Sequence, residues 1–520
     1  MEDFIASAVQ PAVLDPGEQP LVLIPGCWNL SEWNGRLTLQ AWDTERNLVR
    51  RITGIKEEQR RDRIALRTER FPKTEGELQI ADLAAPQGLE LRRKTSRSAF
   101  RERFQLMLAR QFPDWRTEEV TTEANLEHSL APAYARGFLR HGLSGMAAIA
   151  APPENASCGG ILAFGIIWLD YLRRREPGLT IRRLVFFVPS RSHQEVALRA
   201  QWLNPAAFEC ELYIFDERDR AGIIDLTDAG NLHSTLPQCH RASHPNSEMA
   251  NLPDLPADVT CSEQGDGSIS LQIRGLEFAR NAGGKLTCGI SKRSRCSAET
   301  VRAMAGEVSR VRKPEAEDRQ HPLYTANPEG WLESLVRAHP EVLDASLRPV
   351  PVYGQVPVFS GGDRGVIDLL AIDHTGQLVV IELKATADIQ LPFQALDYWL
   401  RVRKHLLAGD FERQGYFRGH VIRPVPPRIL LVAPALEFHS TTETLLAALS
   451  PSITVTRLGL AADWRAGIRV MFRLNGSERP GPASAGSCDP ANLPKMASAG
   501  MRFQLMPVHR APPADQHSHK

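Results

Sequence analysis

Asp368, Glu382 and Lys384 interrupt two otherwise apolar runs in the C-terminal part of this 520-residue chain. Asp368 sits in Gly365-Val366-Ile367-Asp368-Leu369-Leu370-Ala371-Ile372, and the other two in Leu378-Val379-Val380-Ile381-Glu382-Leu383-Lys384. Runs of this length and composition predict strands. The turn His374-Thr375-Gly376 pairs them antiparallel, and Asp368 and Glu382 lie about equally far from it. In the second strand Val379, Ile381 and Leu383 point to one face, and Val380, Glu382 and Lys384 to the other. With apolar residues on both faces, the strand is expected to be buried on both sides. Two carboxylates converging on one spot repel and raise each other's pKa unless a cation intervenes. A hard divalent ion with oxygen ligands, Mg²⁺ or Mn²⁺, resolves that conflict. Lys384 is then placed to orient or deprotonate a water. The plainer reading is an ion pair of Glu382 with Lys384 or Arg364 at a strand edge, because Glu-x-Lys is a common spacing.

The surrounding elements must bring these residues together. A helix is predicted over 330–343, with Trp331, Leu332, Leu335, Val336, Val342 and Leu343 on one side. A long helix follows the second strand over about 388–408 and tolerates Pro392 in its first turn. A buried strand at 428–433, a helix near 441–449 and two closing strands at roughly 453–458 and 468–473 complete the region. An Asp in a strand, a short turn, an apolar strand ending in Glu-x-Lys and a following helix form a joint pattern. It resembles the PD-(D/E)xK phosphodiesterase superfamily over about 329–434, within it the NucS-like and RecB-like endonuclease domains.

The resemblance implies a restriction-endonuclease-like αβββαβ core and metal-dependent hydrolysis of DNA phosphodiester bonds, by an endonuclease of repair or defence. It assigns metal binding to Asp368 and Glu382, with the Leu383 carbonyl assisting, and service to the nucleophilic water to Lys384. A Gln and a Tyr one helical turn later recur in such domains, and Gln394 and Tyr398 match that spacing. A Glu on the preceding helix completes such sites; Glu333 is the candidate and Glu329 the reserve. Ile367 stands where the signature has proline. The expected cofactor is Mg²⁺ or Mn²⁺ and the expected partner DNA, branched and single-stranded forms included. Nucleases of this superfamily that cut both strands often work as dimers, so a homodimer is a candidate state. From the long helix, Tyr398 is a candidate nucleic-acid contact, and Arg401, Arg403 and Lys404 are candidate phosphate contacts, or equally a solvated helix face.

Elsewhere the sequence carries architecture without a reactive motif. Residues 20–90 alternate as a β-rich module, and 95–228 read as an α/β domain with a mostly parallel sheet. Residues 229–268 read as a flexible linker or insertion, 269–320 as a hairpin and a charged bridge, 329–473 as the nuclease-like domain, and 474–520 as a disordered tail. No internal repeat is visible. The expected fold class is therefore α/β multidomain. Gly159-Gly160 opens a helix after a strand, but without a phosphate-binding fingerprint a packing or hinge role is favoured. Arg92-Arg93-Lys94 with Arg97, Arg101 and Arg103 form a basic cluster, and Lys292, Arg293 and Arg295 a second. Phe100 and Phe104 beside the first are expected to be core residues rather than base-stacking platforms.

Composition narrows the remaining classes. With 62 Lys+Arg against 61 Asp+Glu, a formal net charge of +1 excludes binding to nucleic acid by bulk charge. Eight cysteines without a CxxC pair are no disulfide framework, and Cys239 with His240 and His244 is a poor zinc set. The acidic start, Met1-Glu2-Asp3-Phe4, does not read as a signal peptide, and the apolar run 159–169 is too short to span a bilayer. A cytoplasmic protein of a reducing compartment, with no membrane partner, is expected. Two competing functions stay open: a non-catalytic nuclease-fold module for binding or scaffolding, and activity seated in residues 95–228.

Overall fold

Four β-sheets account for nearly all the strands of a mixed α/β protein with several parts. The structure, a computed structural model, describes residues 1–15, 20–33, 36–42, 47–56, 63–70, 74–153, 158–227, 234–239, 254–263, 267–360 and 363–479. The compact unit to which they belong runs from Met1 to Arg479. The tail expected from 474 lies mostly outside the described residues, and a strand, Val470–Asn475, covers its start.

The N-terminal sheet is seven-stranded, antiparallel and begins at Pro11, earlier than the predicted 20. Its alternation is the period of a half-buried strand: Leu39 and Ala41, Ile64 and Leu66, Leu78 and Ile80 are all buried.

The central domain starts with a helix, Pro86–Gln111, and has a six-stranded sheet. Arg116–Thr121, Ala135–His141 and Ser144–Ala150 form an antiparallel meander. Thr180–Pro189 and Glu209–Phe215 continue parallel, each reached through a helix, Ile161–Arg175 and then His193–Ala200. Ala221–Ile224 closes the edge antiparallel. Phe100 and Phe104 pack under one face with Val185 and Phe187, as core residues. The Ile161–Arg175 helix covers the other face.

The C-terminal domain repeats this plan. A helix, Pro328–Ala338, leads into the antiparallel strands Tyr353–Ser360, Asp363–Ile372 and Leu378–Leu383. The helix Leu391–Ala408 returns to the parallel strand Arg428–Pro434, the helix Thr442–Ala447 to the parallel strand Val455–Leu460, and Val470–Asn475 closes antiparallel. From 328 to 434 the main elements run helix, three strands, helix and strand, with a short 3-10 turn at Pro340–Val342 and a short helix at Asp410–Arg413 between them. Leu391–Ala408 begins with Pro392 in its first turn and stops at Gly409, whose φ of 69° suits a glycine C-cap. The two domains join through their second-face helices. Leu162, Leu169 and Val196 share one core with Leu396, Trp399 and Leu445.

The segments between the two domains differ from the linker and bridge predicted for them. Much of 229–268 lies outside the described residues, but Ser234–Thr235 adds to the edge of the C-terminal sheet. Val259–Glu263 through Ser294–Arg295 form a five-stranded antiparallel sheet, covered by the helix Ala298–Val311. The charged bridge is held in place by Arg312, which is 0% exposed, bonds to the carbonyls of Arg274, Leu323, Ala326 and Asn327, and lies 4.7 Å from the centroid of the Trp331 ring. A buried guanidinium survives because its donors find acceptors.

Candidate active site at the end of the C-terminal sheet

Register decides which charged residues meet. Leu369 pairs with Ile381, so the next positions outward along the antiparallel pair are Asp368 and Glu382. Val379, Ile381 and Leu383 face Trp331 and Leu332 of the Pro328–Ala338 helix, while Val380 packs on the opposite face with Leu370 and Val402. Alternation thus carries Glu382 and Lys384 to the face covered by Leu391–Ala408.

Glu382 is 2% exposed, and its Oε2 has no hydrogen-bond partner among the described residues. Lys384 Nζ lies 3.8 Å from Glu382 Oε1 and 3.7 Å from Asp388 Oδ2. Asp368 Oδ2 accepts a 2.9 Å bond from the Leu383 backbone N–H. From the Pro328–Ala338 helix, Glu333 Oε2 accepts from Gln355 Nε2 at 2.7 Å. Gly354 lies against Glu333: a Cβ there would stand 2.5 Å from Glu333 Oε1 and push the carboxylate aside. From the other helix, the buried Gln394 Oε1 is a second orphan acceptor among the described residues, and Tyr398 is half-buried and bonded to the backbone of Val366.

The electrostatics follow from this crowding. Burial, partly offset by the Leu383 N–H and Lys384, pushes the Asp368 carboxyl up to about 6. Burial and then Asp368 raise Glu382 well above the usual carboxylate range. Burial pushes Glu333 to about 7, with Asp368 adding to the rise. Burial works to lower the Lys384 ammonium, but Glu382, Glu329, Asp388 and Asp368 outweigh it and hold the pKa above its ordinary value. As it stands, Lys384 is a proton holder and hydrogen-bond donor. Glu329, the reserve carboxylate, acts on Asp368, Glu382 and Lys384 together.

The helix cations are placed differently from expectation. Arg401 is 3% exposed and bonds Asp397 Oδ2 through Nε at 2.9 Å and Nη2 at 2.8 Å. Asp397 Oδ1 also receives Arg199 Nε of the central domain at 3.2 Å. Arg403 lies over Trp202, 4.9 Å from its centroid. Arg401 is thus buried in an ion-pair network that reaches the central domain, and Arg403 is half-buried against that domain. Lys404 alone of the three is exposed. Of the upstream basic cluster, Arg103 pairs with Asp219 at 2.6 Å, and the side chains of Arg92, Arg93 and Lys94 lie outside the described residues. In the second cluster, Arg293 pairs with Glu277 at 2.8 Å. Gly160 is a packing residue: a Cβ there would meet Tyr134 Oη at 2.9 Å and Gln390 Nε2 at 3.1 Å.

Asp388 and Gln355 join the site without having been singled out. Asp388 stands four residues after Lys384 and had that spacing as a signal. Gln355 lies in an irregular strand and had none.

Among the described residues no three His, Cys, Asp or Glu side chains form a closed metal-binding group. A fit to a divalent ion therefore rests on the donor chemistry of Asp368 and Glu382 and on the unpartnered Glu382 Oε2, which a cation would satisfy. Among the described residues no helix is long and apolar enough to cross a membrane. No protein-family model matches the chain, and no curated protein matches it.

Proposed function

We propose that the chain is a metal-dependent nuclease that hydrolyses phosphodiester bonds of DNA, with its site at the end of the restriction-endonuclease-like C-terminal sheet. The observation that carries this reading is the convergence of Asp368, Glu382 and Lys384 on paired strand ends, with one buried Glu382 oxygen unpartnered. A structural ion pair needs one acid for one base. Here Glu382, Asp368, Asp388 and Glu329 all act on a single lysine, an excess of negative charge that destabilises the fold by itself and suits a cation-binding site.

Asp368 and Glu382 would hold Mg²⁺ or Mn²⁺, with the Leu383 carbonyl and either Glu329 or Glu333 as further oxygen donors. When bound, such an ion acidifies a water and takes up charge on the phosphate. Lys384 orients that water and donates to the phosphate oxygens from the same face as Glu382. Gln394 offers an amide at the edge of the site, and Tyr398 seats the helix against the Val366 backbone.

The test is a nicking assay on supercoiled plasmid with Mg²⁺ or Mn²⁺, comparing the wild type with Lys384→Ala and Glu382→Gln. The expected outcome is cleavage by the wild type alone. Cleavage that survives both substitutions would place the chemistry elsewhere. DNA binding without cleavage would favour the scaffold reading.

A further inference from the structure

Apart from short helices and the added edge strand Ser234–Thr235 of the C-terminal sheet, the central and C-terminal domains share the same succession of main helices and six strands, in the same order and with the same directions, three antiparallel, two parallel and one antiparallel. They also meet reciprocally. Leu203 and Leu449, each just after the helix between the two crossover strands of its domain, form an antiparallel bridge. Asn204 N donates to Ala448 O, and Ser450 N to Trp202 O, both at 2.8 Å. An antiparallel bridge between equivalent positions is what a two-fold axis produces in an isologous dimer.

Register identifies what stands at the site in the first copy. Lys384 N bonds Val432 O, and Ala151 N bonds Phe187 O, both at 3.0 Å. Leu383 pairs with Val432, and Ala150 with Phe187. Glu382 and Lys384 therefore correspond to Ile149 and Ala151. Ile149 pairs with Arg136, which takes the place of Asp368. Arg136 is 2% exposed, bonded to the carbonyls of Ala131 and Glu123, and fills the spot.

We infer that residues 86–224, which among the described residues carry no counterpart of Asp368, Glu382 and Lys384 at the equivalent strand end, are a copy of the C-terminal domain in the place of a second subunit, so that one chain is the working unit and cuts one strand of a duplex per engagement. This rests on the nuclease reading of the C-terminal site. In each event water adds to phosphorus, one P–O bond to a flanking sugar breaks, and the departing oxygen takes a proton. The products are a phosphomonoester and a hydroxyl, with the opposite strand intact. A homodimer would present two such sites; the internal pair presents one.

The experiment combines sedimentation of the full chain, with and without duplex DNA, and a time course on supercoiled plasmid with Mn²⁺. The expected results are a monomer, accumulation of nicked circles before any linear form, and a rate proportional to the first power of protein concentration. Linear product without a nicked intermediate, a second-power dependence or a sedimenting dimer overturns the inference while leaving the nuclease reading intact. A monomer that cleaves no form of the plasmid removes the nuclease reading and the one-strand step with it.

Discussion

The two α/β domains build sheets of the same strand order and treat the same end of them in opposite ways. In the central domain, Ala147 to Ala151 are all 0% exposed and carry no charge. Among the described residues the strand end is apolar, and Arg136 beside it bonds the carbonyls of Ala131 and Glu123 through its two Nη atoms, has Glu119 and Glu123 nearby, and leaves its Nε without a hydrogen-bond partner. In the C-terminal domain the same position of the sheet holds Glu382 at 2% exposure, facing Asp368 and Lys384. A buried charge must be compensated, and the central domain reaches that end with hydrogen bonds to backbone. The C-terminal domain leaves an excess of acids and an oxygen without a partner. Since apolar residues satisfy the same backbone nearby, the charged version is a departure from what stability alone would select.

Breaking the trio gives the largest expected effect on that contrast. Lys384→Ala or Glu382→Gln is expected to lower the nicking rate by about 10²–10⁴-fold. Ile149→Val, at the position equivalent to Glu382, should leave the rate unchanged. Initial rates on supercoiled plasmid, with circular dichroism to establish that each variant is folded, decide it. A comparable loss in both domains would show that the two ends share the chemistry.

The join between the domains is tested next. Asp397 neutralises Arg199 of one domain and Arg401 of the other. Asp397→Ala removes the carboxylate that the two buried guanidiniums share, while Arg199 keeps Glu195 at 3.8 Å, and is expected to cost about 3–5 kcal/mol, read from urea denaturation. Because one core spans both domains, the wild type should unfold in a single transition. Two separated transitions, with only one moved by the substitution, would argue against a joint core.

How far this contrast could be read from the chain depends on the element. The two C-terminal strands were legible because Asp368, Glu382 and Lys384 interrupt apolar runs around a short turn. The preceding strand, Tyr353–Ser360, was not located: Gly354 and Pro357 break its pattern, and Gln355 has a φ of 51°. The repeat is not legible in the sequence because the central strand end has Ile149 and Ala151 where Glu382 and Lys384 stand, and Arg136 in the place of Asp368, so none of the charged markers recurs. The burial of Arg401 and the packing of Arg403 on Trp202 are not legible, because helical spacing shows how many faces are apolar, not that a second domain covers the remainder. Arg312 looked like part of a charged surface run, since nothing local announces that five carbonyls converge on it.

The pH dependence sharpens the comparison at the level of single groups. Burial raises Asp368 from an ordinary 3.8 to about 6, and Glu333 from 4.5 to about 7. The folded chain therefore keeps protons that the unfolded chain has already released. The stability this contributes is fully present below about pH 4 and is lost as the pH rises through 6 and 7. In chelator, Asp368→Asn removes a charged form disfavoured by roughly 3 kcal/mol, and is expected to raise the melting temperature at pH 8 but not at pH 4. Mn²⁺ should stabilise the wild type at pH 8 more than at pH 5, where protons compete for the same oxygens. A melting temperature of the variant at or below the wild type's at pH 8 would mean that Asp368 is already compensated within the fold.

The smallest effects separate two neighbouring cations on the same helix. Arg403 lies over Trp202 at the domain interface, whereas Lys404 is exposed. Arg403→Ala is expected to lose about 1 kcal/mol of stability and leave the salt dependence of DNA binding as it was. Lys404→Ala should leave stability unchanged and, if this helix end tracks the backbone, reduce the slope of log affinity against log salt by about 1. Fluorescence anisotropy over a salt series, with Ca²⁺ in place of the cleavage metal, measures the slope. If neither substitution moves it, the duplex does not pass this end of the helix, and the basic residues beyond the C-terminal domain become the place to look for its path.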